Sequence, residues 1–272
     1  MGYWKEIQSI LSTLPVIEAW QPTSVRIVTQ LRRSGNQYWL SCPDIGAISI
    51  DCASNQISTY PIENIDQTEF GSFLTFVWFP FAYQLCGIQV IHASAVVNHT
   101  NNTILAFCGD SGAGKSTLAF GLAKRDNWTQ IADDRIAFNA ANGEPKLIFI
   151  PDRIKLRPPT ADYFGEEPFG YDPCTWLETP MTIKTIFFIN PKKDQAPHSR
   201  DQYEIRPLSK ADSYKLLLSH AFSITTQLQE NNQKLLNNYL GLLSDVNFFQ
   251  LSIPTDFNLL EDIYNAIEAI VE

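Results

Sequence analysis

The sequence is short of positive charge: 20 Lys and Arg stand against 29 Asp and Glu, a formal net charge of −9 over 272 residues. That balance is the reverse of the footprint expected for gripping a nucleic-acid backbone or an anionic membrane surface, so neither nucleic acid nor membrane is an expected partner. The acidic residues are dispersed, as on a solvated surface, and do not form an interaction tail. Cysteine is scarce too. Cys42, Cys52, Cys86, Cys108 and Cys174 form no close pair and no metal-type spacing with the four histidines, which argues against a disulfide framework or a zinc site and reads as reduced, mostly buried thiols. The opening MGYWKEIQSI lacks the basic region and apolar core of a signal peptide. A cytoplasmic location is therefore expected, and the glycosylation sequons at Asn98, Asn101 and Asn127 are read as chance. Long hydrophobic runs are missing as well. The most apolar stretch, 73–90 (FLTFVWFPFAYQLCGIQV), holds Pro80 near its middle, is interrupted by Gln84 and Gln89, and falls short of the about 20 apolar residues of a spanning helix. It is read as a buried core helix. With no internal repeat and no low-complexity tract, solenoids and linker-joined arrays are excluded.

What is present suits a globular chain: 44% hydrophobic and 12% aromatic residues can bury a substantial core in one large domain or two small ones. Short β-type runs at 24–30, 37–42, 47–51 and 56–61, separated by Gly, Asn and Pro, predict a small antiparallel sheet. Together with the apolar helix they make an N-terminal region, 1–85. Strands are then expected at 89–97 and 103–109, followed by a helix at 115–125 with Leu118, Ala119, Leu122 and Ala123 on one face. The runs 129–134 and 135–140 are β-like, and an Asn-Gly turn at 142–143 leads into 146–151 as a hairpin. A Pro- and Asp-rich loop is expected over 151–181, a strand at 181–190, a polar loop at 191–202, and helices at 208–222, with Ser209 as N-cap, and 231–246. A strand at 247–254 and an amphipathic helix at 256–271 close the chain. The class that follows is α/β with a mixed (α+β) sheet, and 86–272 is the expected catalytic domain.

GDSGAGKST matches G-x-x-x-x-G-K-[ST] in full: Gly109, Asp110, Ser111, Gly112, Ala113, Gly114, Lys115 and Ser116, with Thr117 next. Glycines let such a loop wrap closely, so that consecutive N–H groups and the dipole of the following helix face phosphate oxygens. Lys115 would reach the terminal phosphates, and the Ser116 hydroxyl would ligate Mg²⁺. The motif sits between a strand-like run and a helix, as its chemistry requires. Soon after it comes the pair Asp133–Asp134, at the expected end of a strand. One carboxylate there can hold Mg²⁺ while the other takes the proton of an attacking hydroxyl. A solvated turn opening the hairpin is the bland alternative. Of the two, Asp133 is set as base and Asp134 at the metal, although neighbours on a strand point to opposite faces and a turn can reorient either one.

The order HASAV at 92–96, GDSGAGKST at 109–117 and ADDR at 132–135 resembles the catalytic domain of HPr kinase/phosphorylase, and more closely the short HPr-kinase-like proteins that include serine kinases of lasso-peptide precursors. The resemblance is specific over 88–137 and weaker over 146–222. It implies a P-loop kinase core of the HPr kinase and phosphoenolpyruvate carboxykinase type, ATP and Mg²⁺ as cofactors, and a peptide or protein serine as acceptor. It also implies that His92 lies near the transferred phosphate; a lone histidine on a strand would otherwise be structural. Thr117 stands where HPr kinases carry Glu, no E-x-R-G segment follows the double aspartate, and the first 85 residues do not resemble the N-terminal domain of the bacterial enzymes. Reverse phosphorolysis and HPr as substrate therefore do not carry over. Arg153, Lys155 and Arg157 are candidates for holding phosphate charge, or simply a basic strand edge. An NTP-hydrolysing switch and a nucleotide-binding regulatory module are the alternatives to a kinase, and a homo-oligomer is left open.

Overall fold

The computed structural model describes residues 3–20, 28–140, 145–148, 154–168, 181–192, 203–222, 229–254 and 256–271. The chain divides into two compact units, Met1–Ile88 with Ser223–Gln233, and Gln89–Phe222 with Lys234–Glu272.

In the first unit the chain opens on a helix, where only β-type runs are expected. Tyr3–Thr13 is α1, because Ile7 and Leu11, one helical turn apart, bury against Trp39 and Ala47. Five antiparallel strands follow in sequence order: β1 (Val16–Trp20), β2 (Thr29–Ser34), β3 (Gln37–Cys42), β4 (Gly46–Asp51) and β5 (Gln56–Pro61). The expected strand at 24–30 is met only at its end, its positions 24–27 lying outside the described residues. Alternation gives the sheet two faces. Trp39 and Ala47 turn to α1, while Leu31, Leu40, Ile48 and Ile50 are buried on the other face.

The apolar segment is helical, but with shifted ends. Asp66 accepts from the N–H groups of Thr68 and Glu69 and starts α2 (Gln67–Phe73). A π turn at Leu74–Trp78 leads directly into α3 (Phe79–Leu85). Pro80 does not end the helix: it falls at the first positions of α3, after the Phe79 N–H has slipped to the Leu74 carbonyl, where its missing N–H is tolerated. Residues 89–91, which open the run expected as strand over 89–97, are strand. No helix among the described residues is long and apolar enough to cross a membrane.

The reading of all cysteines as reduced is overturned by a disulfide between Cys52 and Cys86. It ties the turn after β4 to the end of α3. Disulfides persist chiefly in oxidising compartments. Cys42 and Cys108 are buried free thiols, and Cys174 lies outside the described residues.

The second unit is built on a mixed sheet. Its strands are β6 (Gln89–Ile91), β7 (Ala93–Asn98), β8 (Thr103–Cys108), β9 (Trp128–Ala132), β10 (Ile136–Asn139), β11 (Lys146–Ile148), β12 (Thr182–Pro191), β13 (Glu204–Pro207) and β14 (Asn247–Ile253). The order runs β6-β10-β11-β12-β8-β7-β9, with β14 on β12 and β13 on β14. β12 lies parallel to both β8 and β14, and β7 is antiparallel to both β8 and β9. The ends of β8, β9, β12 and β14 therefore share one edge of the sheet.

Helices cover both faces. α4 (Lys115–Leu122) and α8 (Leu260–Val271) bury Leu118, Leu122, Ile263, Tyr264 and Ile267 on one side. On the other, α6 (Lys210–Ser219) and α7 (Gln229–Asp245) bury Leu217, Tyr239 and Leu242. Ser209 caps α6 as expected, accepting from the Asp212 N–H. The expected loop over 151–181 contains a further helix, α5 (Pro158–Phe164), which starts on a Pro pair; its last part, 169–180, lies outside the described residues. The polar loop at 193–202 and the turn at 142–143 also lie outside them.

The disulfide gives a stability prediction. Its sequence separation of 34 corresponds to about 3–4 kcal/mol in the chain-entropy description. Reduction, or Cys86→Ser, should lower the unfolding free energy of the first unit by about that amount in a urea titration. A non-reducing peptide map should join the two cysteine peptides, and two separately alkylated peptides would remove the crosslink.

Candidate functional site

β8 ends at Cys108, and the chain turns through Gly109–Gly114 into α4, the strand–loop–helix order the motif demands. The loop is closed by an Ala113 N–H to Asp110 carbonyl bond of 3.0 Å. Two of its glycines are required by geometry. Gly114, the N-cap of α4, has φ +106°, and Gly112 has φ +83° with the Arg157 guanidinium only 3.1 Å from where a Cβ would stand. No side chain among the described residues caps α4, which leaves the N–H groups of its first turn to an anion.

Lys115 is 5% exposed. Its ammonium donates to the carbonyls of Gly109 at 2.9 Å and Asp110 at 3.2 Å. Burial pushes its pKa below the ordinary lysine value, and the charges of Asp134, Cys108, Asp133 and Asp110 oppose that shift.

The two aspartates stand in different surroundings. Asp133, just past β9, is 4% exposed. Its Oδ1 accepts from Ser94 and from Ser116, both at 2.7 Å, and its Oδ2 from the Lys155 N–H at 3.1 Å. This carboxylate is fully engaged, so the solvated-turn alternative fails for Asp133. Asp134 has φ +65°, a left-handed conformation rare for a residue with a Cβ. Its side chain is 60% exposed and brings Oδ1 to 3.5 Å from His92 Nε2, ion-pair range but longer than a hydrogen bond.

His92 falls in the break between β6 and β7, with its side chain 44% exposed. Loss of solvation lowers its pKa first. Lys115 and Arg135 add to the fall, and Asp134 and Asp133 oppose it.

Most of these groups border a cavity of about 530 Å³. Its walls hold the loop from Ser111 through Thr117, both aspartates, Lys155, Arg157 and Thr160, and at its far end the apolar Ile253, Pro254 and Phe257. Gly109, Asp110 and His92 are not in the wall, although each touches a residue that is: Lys115 reaches the first two through their carbonyls, and Asp134 faces the third. Thr117 turns to α5, its hydroxyl 2.9 Å from that of Thr160. Arg157 donates to the Ser111 hydroxyl at 3.0 Å, so the guanidinium lies over the phosphate loop and is no mere strand edge. Arg153 lies outside the described residues.

Among the described residues, no three His, Cys, Asp or Glu side chains converge as a metal site. Ser116, in the first turn of α4, and Asp133, just past β9, do put a hydroxyl and a carboxylate oxygen side by side. That hard-oxygen pair suits Mg²⁺, which takes one or two protein ligands and completes its shell with phosphate and water.

Two residues with no motif to mark them also belong here. Ser94, on β7, is a plain strand serine until the fold brings it to Asp133. His220, at the end of α6, lies close enough for the charges of Asp110, Lys115 and His92 to act on its ring.

No family model matches the chain, and no curated protein does. Among solved structures, the chain is similar to the Hpr(Ser) kinase/phosphatase from Coxiella burnetii, with 14% identity over 66% of this chain and 89% of that one and a TM-score of 0.34. A likeness of that extent assigns no activity, and the chemistry is taken from the side chains themselves.

Proposed function

We propose that the protein is a magnesium-dependent phosphotransferase that carries the terminal phosphoryl group of ATP, or of a related nucleotide, to a hydroxyl. The observation that carries this reading is one cavity holding the phosphate loop, Lys115, Ser116 and both aspartates, with one carboxylate engaged and the other open. An engaged carboxylate beside the loop serine is what metal holding needs, and an open one is what an acceptor needs. Serine of a peptide or protein is the proposed acceptor, on the strength of the resemblance of HASAV, GDSGAGKST and ADDR.

Each residue then has a task. The N–H groups of the loop and of the start of α4 bind the phosphates, and Lys115 moves from the loop carbonyls to phosphate oxygens. Arg157, already over Ser111 and Gly112, offsets charge on the group in transfer. Ser116 and Asp133 would hold Mg²⁺, which supplies charge neutralisation on the outer phosphates when bound. The acceptor oxygen attacks phosphorus in line, the bond to the bridging oxygen of the nucleotide breaks, and the acceptor proton passes to the Asp134 carboxylate. This exchanges the roles the sequence suggests for the aspartates. What supports the exchange is that Asp133 accepts three hydrogen bonds in a buried position, whereas Asp134 is open beside His92. A nucleotide-driven switch and a non-catalytic module leave that open carboxylate without a task.

Lys115→Ala should abolish transfer in single-turnover assays with Mg·ATP and a pool of serine peptides. Asp134→Asn should lower transfer by about 10²- to 10⁴-fold and leave nucleotide affinity almost unchanged. Asp133→Asn should weaken Mg·nucleotide binding. Wild-type transfer in Lys115→Ala would end the kinase reading, and the reverse pattern for the two aspartates would return the base to Asp133.

A second outcome concerns Ser94. Removing its hydroxyl deprives a buried carboxylate of one donor, so Ser94→Ala should cost about 1.5–3 kcal/mol in chemical denaturation. It should also weaken Mg²⁺ in calorimetric titration of the nucleotide-bound protein. A variant with unaltered stability and Mg²⁺ affinity would leave Ser94 as a strand residue with no part in the site.

A further inference from the structure

His220 belongs to none of the motifs that mark the site, and the fold brings it to the backbone of His92. Three backbone contacts lay the end of α6 along β6: the His92 N–H donates to the His220 carbonyl at 2.9 Å, Ala221 forms a bridge with Ile91, and the Phe222 N–H donates to the Val90 carbonyl at 2.8 Å. The His220 ring stacks on Phe188, with centroids 5.8 Å apart and planes at 21°. Phe188 is in register with Cys108, the last residue before the loop. The His220 backbone is thus pinned to His92, and its ring is packed on the strand that pairs with the one feeding the loop.

Stacking fixes the plane of a ring and leaves its edge to be used. The His220 ring is half-buried, and among the described residues no side-chain or backbone group hydrogen-bonds its nitrogens. The charges that act on it are those of Asp110, Lys115 and His92. Desolvation holds its pKa below the ordinary histidine value, with Asp110 opposing and Lys115 and His92 adding to the fall, so near pH 7 the ring offers one N–H donor and one lone pair. The nucleotide-sized cavity includes Lys115 and Asp134 but neither histidine. His92 meets Asp134 from outside that cavity, with the His220 carbonyl bonded to the His92 backbone, and an acceptor has to approach there if the nucleotide fills the cavity.

We infer that His220, together with His92, forms the acceptor side of the phosphoryl site, and that its ring nitrogen contacts the group occupying the attacking position. It is a positioning residue: it orients the incoming oxygen toward Asp134 and makes no bond to phosphorus. The inference rests on the phosphotransferase reading above and narrows where the acceptor enters.

The test uses the whole protein with Mg·ADP, and then Mg·ADP with aluminium fluoride, whose planar complex replaces the phosphoryl group in transfer and carries an axial water at the acceptor position. The chain has only four histidines, so ring signals in proton–carbon spectra are few, and His220→Phe assigns one by its loss. The His220 signal should shift on adding aluminium fluoride to the Mg·ADP protein. His220→Phe, which keeps the stack on Phe188, should bind Mg·ADP within twofold of wild type and hold the fluoride complex about tenfold more weakly, the size of one lost hydrogen bond. His220→Gln, which keeps a donor, should recover most of that loss. Loop amides that respond to the fluoride complex while the His220 signal stays still, or a His220→Phe variant that holds it as tightly as wild type, would overturn the inference and leave the kinase reading standing. Loop amides and rings that all ignore Mg·ADP would overturn both.

Discussion

The second unit is organised around one buried carboxyl group. Asp133 is almost fully out of water, and Ser94, Ser116 and the Lys155 backbone supply donors to its two oxygens. An under-bonded carboxylate in that position would cost several kcal/mol, so the donors come as a set. They belong to β7, to the first turn of α4 and to the segment leading into α5. Satisfying one side chain therefore fixes the strand edge, the phosphate loop and the chain that carries Arg157 relative to each other. Two residues beyond the Lys155 N–H, Arg157 lies across Ser111 and against Gly112.

Around this anchor lie the cationic side chains of the cavity. Lys115 is buried with its ammonium on loop carbonyls, neutral dipoles from which it can be drawn by phosphate more readily than from a carboxylate. Its carboxylate neighbours act from farther away: Asp133 is occupied by hydroxyls and an N–H, and Asp134 faces His92. Both imidazoles at the edge of the site are pushed toward neutrality by desolvation and by Lys115. The fixed positive charge is left to Lys115, Arg157 and Lys155, all in the cavity wall.

The residues of this cavity that are legible in the sequence are those whose pattern is local. The glycine spacing of 109–114 is a backbone requirement, and Gly112 and Gly114 do take left-handed conformations. The acidic pair is found for the same reason, being close to the loop. What distant partners decide is not legible. Ser94 meets Asp133 across 39 residues, and His220 meets His92 through the pairing of α6's end with β6. The Cys52–Cys86 bond escapes a search for close cysteine pairs because tertiary packing brings those residues together. Elsewhere the error is one of signal. Pro158–Pro159 reads as loop composition, yet Pro is also favoured in a first helical turn, and α5 begins there. Ile7 and Leu11 alone give α1 a buried stripe too thin to outweigh the β-type runs that follow.

The two adjacent aspartates show how one backbone torsion puts neighbouring side chains into different surroundings. On a regular strand, neighbours point to opposite faces, which would take one of them away from the loop. Instead, the chain leaves β9 at Ala132 and turns, with the Arg135 N–H bonded to the Asp133 carbonyl at 2.9 Å and the Ala93 N–H to the Asp134 carbonyl at 3.2 Å. The turn needs a left-handed residue at 134, a conformation that costs about 1–3 kcal/mol for a side chain with a Cβ and that Gly would adopt freely. Asp is among the few other residues that tolerate it. Four asparagines take the same conformation at other turns of this chain, so what distinguishes position 134 is the carboxylate it carries, open beside His92 at the edge where the proposed acceptor would meet the phosphoryl group.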